Sequence, residues 1–278
     1  MFKNRKLLIA TKHNKQKVIA PIFEKHLGVK CFVTDIFDTD SLGTFSGEVQ
    51  RKDDALTTLR KKGTLAMEKN QFDLVIASEG SFGAHPSVFF APANEELMIL
   101  IDAKNNLEIV VKELSINTNF NAETISNQNQ LIEFANRVKF PSHALIMKPS
   151  ENNFSSIIKG ISSWEELKIS FEKFQNKYGT AHLETDMRAS FNPTRMEVIE
   201  KTAKKLLEAV LSNCPNCKTP GFTISKALPG LPCNWCNAPT KSTLSYIYNC
   251  KKCNFTKEEL YPHKKTTEDP AYCDYCNP

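Results

Sequence analysis

Eight of the nine cysteines fall in the last 65 residues as four C-x-x-C pairs: Cys214 and Cys217, Cys233 and Cys236, Cys250 and Cys253, Cys273 and Cys276. A C-x-x-C turn offers two thiolates from one knuckle, and a tetrahedral ion such as Zn²⁺ takes four. Four knuckles make two closed four-cysteine sites, so two structural Zn²⁺ are expected. Gaps of 15, 13 and 19 residues between the pairs suit short hairpins of zinc-ribbon type. Two pairings are open. In the first, the stretch from Cys233 to Cys253 is a complete ribbon and the outer pairs share the second ion; in the other, the pairs cross. Redox dithiols would need a thioredoxin-like βαβ context, which these glycine- and proline-punctuated segments lack. Cys31, beside Phe32 and Val33, reads as a small core residue.

A second group of reactive types lies in the front part. In "LIATKHNKQKV" (8–18) a strand, a polar loop and a helix start follow one another. Unpaired N–H groups and the helix dipole make such a junction an anion site. Thr11 and Asn14 are the candidate donors to phosphate oxygens, and Lys12, Lys15 and Lys17 supply charge. In "DLVIASEGSFG" (73–83) a strand runs from Asp73 to Ala77, and Ser78, Glu79, Gly80 and Ser81 follow it. The bland reading is a polar turn, with Asp73 capping the turn before it. The sharper one is a carboxylate aimed into a cleft, where Glu79 would bind Mg²⁺ or orient water and glycine would admit a ligand closely. In "HLETDMRASFNPTR" (182–195), Glu184, Asp186, Arg188 and Arg195 gather before a helix. They read as a metal or cation site or as a set of surface ion pairs, and Arg188 is a further phosphate-binding candidate. His182 and Glu184 lack the convergent third ligand of a hydrolytic zinc site.

These groups need elements to hold them. "RKLLIA" (5–10) reads as a buried strand, and a helix starts near Gln16 with Val18, Ile19, Ile22, Phe23 and Leu27 on one face. A helix over 54–68 precedes the strand at 73, and "DAKNN" marks a hairpin turn within 87–113, where "APANEE" reads as an earlier break. Helices are expected over about 129–138, from Ser163 with Glu166 three residues on, and from Pro193 behind an Asn192 cap, with a strand over 143–149. Interleaved strands and helices predict an α/β domain on a mixed sheet over 1–211 and a small β-rich zinc-ribbon domain over 212–278.

Charge narrows the partners. The chain of 278 residues carries a net +5, which permits an anionic partner without demanding one. From Ser212 onward eight lysines face five acids. Eight thiolates and two Zn²⁺ would leave the tail at −1, a poor footprint for a phosphate-backbone binder. The LLIA stretch is too short for a signal-peptide core, and no segment approaches the ~18 apolar residues of a membrane span. A cytoplasmic protein without a membrane partner is expected.

On "IATKHNKQKV", "LRKKGTLAM" (59–67) and "DLVIASEGSFG", the front domain resembles the inosine triphosphate pyrophosphatase-like superfamily, house-cleaning hydrolases of aberrant purine nucleoside triphosphates. The likeness covers about residues 5–115. It implies that Thr11, Asn14 and Lys17 hold the triphosphate, with Asn14 one residue further from Thr11 than in the family pattern. It places Lys62 at the family's helix lysine, Ser78 and Ser81 at the ligand, and Glu79 as the metal or base residue. The family's helix glutamate falls on Thr57, with Asp53 or Asp54 one turn earlier as substitutes. The implied activity is Mg²⁺-dependent nucleoside triphosphate pyrophosphatase or related phosphohydrolase. The combination with a cysteine-rich tail looks like an uncharacterised bacterial family. The rival reading is a non-enzymatic nucleotide- or nucleic-acid-binding module whose ribbons dock a nucleic-acid or protein partner.

Overall fold

The apolar runs KLLIA and LVIA become neighbouring parallel strands. In the computed structural model, which describes residues 1–33 and 53–278, β1 (Lys6–Ala10), β2 (Lys30–Phe32), β3 (Leu74–Ala84), β4 (Pro92–Asp102) and β5 (Leu107–Ser115) form one sheet in the order β2-β1-β3-β4-β5. β2, β1 and β3 are parallel, and β3, β4 and β5 run antiparallel. The mixed α/β sheet expected from the sequence is therefore present. From β1 the chain passes through α1 (Gln16–Leu27) to β2 on one side, whereas β3 lies on the other. At such a reversal an open α/β sheet leaves a crevice beyond the carboxyl ends of its strands.

Strand alternation sends side chains to both faces. Leu8, Ala10, Val75, Ala77 and Ile99 pack on Leu59, Ala66 and Met67 of α2 (Ala55–Asn70). Leu7, Ile9, Ile76 and Leu100, pointing the other way, are equally buried.

β3 departs from the sequence reading. It does not stop at Ala77 but continues to Ala84, so Glu79 lies inside a strand rather than in a loop after one. The "APANEE" stretch, read as a break, supplies the partner: β4 starts at Pro92 and pairs along the whole of β3, out to Ala84 opposite Pro92. Pro92 occupies the first strand residue, where its missing N–H does little harm. Asp73 caps no turn; it takes an ion pair from Arg5 at 3.0 Å.

A second sheet, entirely antiparallel, orders β6 (Ala122–Ile125), β9 (Ala181–Thr185), β7 (Leu145–Lys148) and β8 (Ile158–Ile161). It packs with α3 (Gln128–Arg137) and α4 (Trp164–Tyr178) around Leu131, Phe134, Leu167, Phe171 and Phe174. Ser163 Oγ accepts the Glu166 N–H at 3.2 Å and starts α4. Asn192 Oδ1 accepts the Arg195 N–H at 2.9 Å and starts α5 (Pro193–Leu211).

The chain divides into the unit Met1–Leu207 and the unit Glu208–Pro278. The second is built on β10 (Thr223–Pro229), β11 (Thr243–Asn249) and β12 (Thr256–Leu260), antiparallel in that order. Its apolar core is small: Phe222 stacks on Tyr248 and meets Phe255 at a tilt, beside Cys214 and Cys250. No helix among the described residues is long and apolar enough to cross a membrane.

Candidate functional site

The carboxyl ends of β1 and β3 hold a cluster of buried charge. β1 pairs with β3 only as far as Ala10 opposite Ala77, so Ser78 is the first β3 residue beyond that pairing. Ser78, Glu79 and Gly80 then alternate between the two faces of the sheet. On one face Lys15, in the turn before α1, donates from Nζ to Ser78 Oγ at 2.9 Å. On the other, Lys62 of α2 forms an ion pair with Glu79 and donates to the Ser78 carbonyl at 3.2 Å. All four residues are buried.

Two glycines make this approach feasible. A Cβ on Gly63 would lie 2.8 Å from Ile101 Cδ1, so its absence lets α2 settle close to the sheet and delivers Lys62 to Glu79. That closeness offsets the roughly 1 kcal/mol that glycine costs inside a helix. A Cβ on Gly80 would lie 2.6 Å from Glu96 Oε1 and would collide with the Arg195 guanidinium. Glu96 stands opposite Gly80 in β4. Arg195, in the first turn of α5, donates from Nε to Glu96 Oε1 at 2.7 Å and from Nη1 to the Met187 carbonyl, and its guanidinium lies 5.2 Å over the Phe82 ring.

The cluster joins three cationic residues, Lys15, Lys62 and Arg195, to two acids, Glu79 and Glu96. Burial, reinforced by Arg195 and Lys62 and opposed by Glu96 and Glu79, pulls Lys15 down to about 7. Burial thus shifts Lys15 toward its free amine, so that amine and ammonium are both populated at neutral pH. Asn94 is fully buried on the Glu96 side, and neither its amide oxygen nor its amide nitrogen has a hydrogen-bond partner; Glu96 Oε2 is in the same position. Each orphaned buried polar atom costs about 1–3 kcal/mol. A polar ligand would recover part of that.

The other residues singled out from sequence are distributed as follows. Thr11 is buried, and its Oγ1 accepts the His13 N–H at 3.3 Å. Asn14, in the left-handed region at φ 58°, and Lys17 are both exposed. Ser81 is half-buried on β3 opposite Glu95. Arg188 turns to Asp186 at 2.5 Å and covers the Phe191 ring at 4.3 Å. Glu184 pairs with Lys148 at 2.5 Å, so Glu184 and Asp186 form separate ion pairs and not a joint cation site. Asp54 caps α2, accepting from Leu56 N at 2.9 Å and Thr57 N at 3.0 Å, and Asp53 binds Lys61 at 2.6 Å.

Of the residues singled out from sequence, the structure brings Lys62, Ser78 and Glu79 together with Lys15, and places Arg195 on Glu96 rather than in the 182–195 set; Asn94 and Glu96 are additions the sequence reading lacked. Lys15 was one of three loop lysines, and only the packing of the turn decides which of them points inward. Asn94 and Glu96 were hidden in a stretch read as a break. Arg195 carried one usable signal, its position three residues after the Asn192 cap, which puts its side chain on the first helical turn.

In the second unit the cysteines converge as Cys214, Cys217, Cys250 and Cys253, and as Cys233, Cys236, Cys273 and Cys276. The crossed pairing is the one formed; the self-contained central ribbon is not. Sulfur–sulfur distances across the clusters are 3.7, 3.5, 3.8 and 3.6 Å. A tetrahedral ion with bonds of about 2.3 Å to sulfur has edges of about 3.8 Å, whereas a disulfide would need about 2.05 Å. The eight thiols are free, and each cluster can hold one structural metal ion. Among the described residues these are the only groups of three or more convergent Cys, His, Asp or Glu ligands.

The knuckles repeat one turn. The N–H groups of Lys218, Asn237, Asn254 and Asn277 return to the carbonyls of Cys214, Cys233, Cys250 and Cys273. Lys218, Asn237 and Asn254 are left-handed, at φ 62°, 58° and 58°. Asparagine tolerates that region better than most side chains, and it follows three of the four C-x-x-C pairs. This was a readable signal for the turn.

The class this defines is a two-unit protein in which an α/β sheet with a buried charged cluster precedes a twin four-cysteine unit. The family model described as "Domain of unknown function (DUF6671)" matches residues 62–278, more than half of the chain, and the chain belongs to that family. The matched stretch contains Lys62, Ser78, Glu79, Glu96, Arg195 and all eight clustered cysteines, so it takes in the second unit and the first from Lys62 onward; Lys15 precedes it. No curated protein matches the sequence.

Proposed function

We propose that the first unit is a phosphohydrolase acting on a nucleotide, a nucleoside triphosphate pyrophosphatase or a close relative. The observation that carries this reading is the cluster at the carboxyl ends of β1 and β3, where Lys15, Lys62 and Arg195 gather around Ser78 beside the partnerless amide of Asn94. Phosphoryl transfer asks a protein chiefly for positioning and for positive charge held ready in a dry site. The Thr11–Lys15 turn would receive the phosphates and Lys62 and Arg195 would balance their charge. Glu79 would position the attacking water, or hold Mg²⁺ that arrives with the phosphates, since Mg²⁺ commonly takes one or two protein carboxylates and its remaining ligands from substrate and water. Glu79 and Glu96 sit on opposite faces of the hairpin, so Glu79 alone would serve that ion.

The test is a phosphate- and pyrophosphate-release screen on the metal-loaded chain, over standard and deaminated nucleoside triphosphates, with and without Mg²⁺. Turnover dependent on Mg²⁺ supports the reading, and a blank panel removes it. Glu79→Gln should lower turnover by at least ~100-fold, the range of a positioned acid or base, while nucleotide affinity by calorimetry stays within a few-fold. Turnover at the wild-type level would take Glu79 out of the mechanism.

The rival reading, a non-enzymatic nucleotide or nucleic-acid module, draws on Thr57, which stands where the inosine triphosphate pyrophosphatase-like pattern has a helix glutamate, and on the pairing of Glu79 with Lys62. Ligand binding indifferent to Mg²⁺ would favour it. The clusters of the second unit are proposed to hold Zn²⁺, the ion whose four-thiolate sites have these dimensions; metal analysis should return two zinc ions per chain. Trp235, Tyr272 and Tyr275 stand 78 %, 70 % and 76 % exposed on or beside the knuckles of one cluster, which supports a docking role for that end of the unit.

A further inference from the structure

The geometry points to Ser78 as a nucleophile in phosphoryl transfer and to Lys15 as its general base, a covalent route that rests on the phosphohydrolase reading above. Three observations carry it. First, Lys15 Nζ and Ser78 Oγ are in direct contact at 2.9 Å, and both residues are nine-tenths buried or more. A serine hydroxyl is a weak nucleophile until an adjacent base takes its proton, and lysine serves as that base when it is held uncharged.

Second, everything facing the ammonium has been arranged around it. Arg195 of α5 and Lys62 of α2 oppose its charge, Glu96 of β4 and Glu79 of β3 favour it, and burial outweighs them all, so that the free amine is available near pH 7. Third, Ser78 is the first β3 residue past the last β1 pair. Its hydroxyl therefore lies beside the Thr11–Lys15 turn, on the face that also holds Glu96, Arg195 and the partnerless Asn94 amide.

The step balances as follows. Lys15, as the free amine, takes the Ser78 hydroxyl proton while Oγ bonds to phosphorus. The bond from phosphorus to the leaving oxygen breaks, and that oxygen departs with the electron pair and receives the proton from Lys15. Water then attacks the phosphoserine, giving its proton to Lys15. The bond from phosphorus to Oγ breaks, and Lys15 returns the proton to Ser78. Arg195, on the same face as Ser78 Oγ, offsets the charge on the phosphoryl oxygens in both halves. The net reaction is hydrolysis, with no group consumed.

The experiment needs no knowledge of the substrate. The full metal-loaded chain is treated with phenylmethanesulfonyl fluoride between pH 5.5 and 9, and adducts are counted by intact mass and located by peptide mapping. The expected result is one adduct, on Ser78. Its rate should rise about tenfold per pH unit up to an inflection near 7, as a single titrating base requires. Lys15→Met should lower that rate at least 100-fold. Lys15→Arg keeps a cation on Ser78 but cannot release its proton, and should do the same; both variants are first checked for two metal ions and unchanged circular dichroism.

No adduct on Ser78 at pH 9 in the folded chain overturns the proposal. So does a rate unchanged in either lysine variant, or a wild-type rate without the inflection. Labelling of Ser78 with a blank nucleotide screen would keep the nucleophile–base pair and discard the nucleotide. Turnover in the screen without labelling would keep the hydrolase and discard the covalent step.

Discussion

At the residue scale the cluster is held together by charges that have almost no exposure to solvent. Arg195 and Glu96 are 1 % and 0 % exposed, and each offsets the other's charge across the Nε–Oε1 contact. Removing one partner of such a pair strands the other and typically costs 3–5 kcal/mol, more than the pair itself contributes. Arg195→Met should therefore destabilise the first unit by about 3–5 kcal/mol in urea unfolding, and Glu96→Gln in the same background should recover part of the loss. An Arg195→Met variant as stable as wild type would mean that water reaches Glu96. Lys15 illustrates the opposite use of burial. With no single acid dedicated to it, desolvation moves its ammonium toward the free base at neutral pH.

At the element scale, α5 delivers Arg195, and its first turn is fastened to the second sheet's connections. Thr194 N–H donates to His143 Nε2 at 3.2 Å and Thr194 Oγ1 lies 2.9 Å from it, while His143 Nδ1 meets Ser142 Oγ at 2.9 Å. Only the neutral ring can accept at Nε2. Burial, helped by Lys139 and opposed by Glu197, lowers the His143 pKa below its ordinary 6.5. A depressed folded value means that the unfolded chain takes the proton first, so this stabilisation is complete above about pH 6.5 and declines as the pH falls below it. Stability measured from pH 7.5 to 5 should fall more steeply for wild type than for His143→Asn; identical slopes would remove His143 from the fastening.

Elements with local signals were legible in the sequence. The helices begun by Ser163 and by Asn192 with Pro193, and the hairpin turn at "DAKNN", all announce themselves within four residues. What was not legible depended on distant partners. Glu79 was read as following a strand because "SEGSFG" is polar, yet Pro92–Asp102 pairs with it and extends β3 to Ala84. Arg195 and Glu96 are 99 positions apart, and nothing local to either marks the other.

At the scale of the whole molecule, the two units rest on different physics. The first buries apolar clusters on both sheets, whereas the second has little beyond Phe222, Tyr248, Phe255 and its thiols. In a unit with so small a core, metal-binding energy is folding energy. A strong chelator should abolish the calorimetric transition of the second unit and leave that of the first in place; a single transition that persists unchanged would refute the metal dependence. The crossed pairing has a kinetic side as well. Cys217 and Cys250 stand 33 positions apart, whereas the unused partners Cys236 and Cys250 enclose only 13 residues between them. Loop-closure entropy favours the shorter ring by about 0.8 kcal/mol, and before any sheet exists nothing opposes it. Zinc offered to the denatured chain will close the wrong ring first, and the strands can assemble only as fast as thiolates exchange out of it.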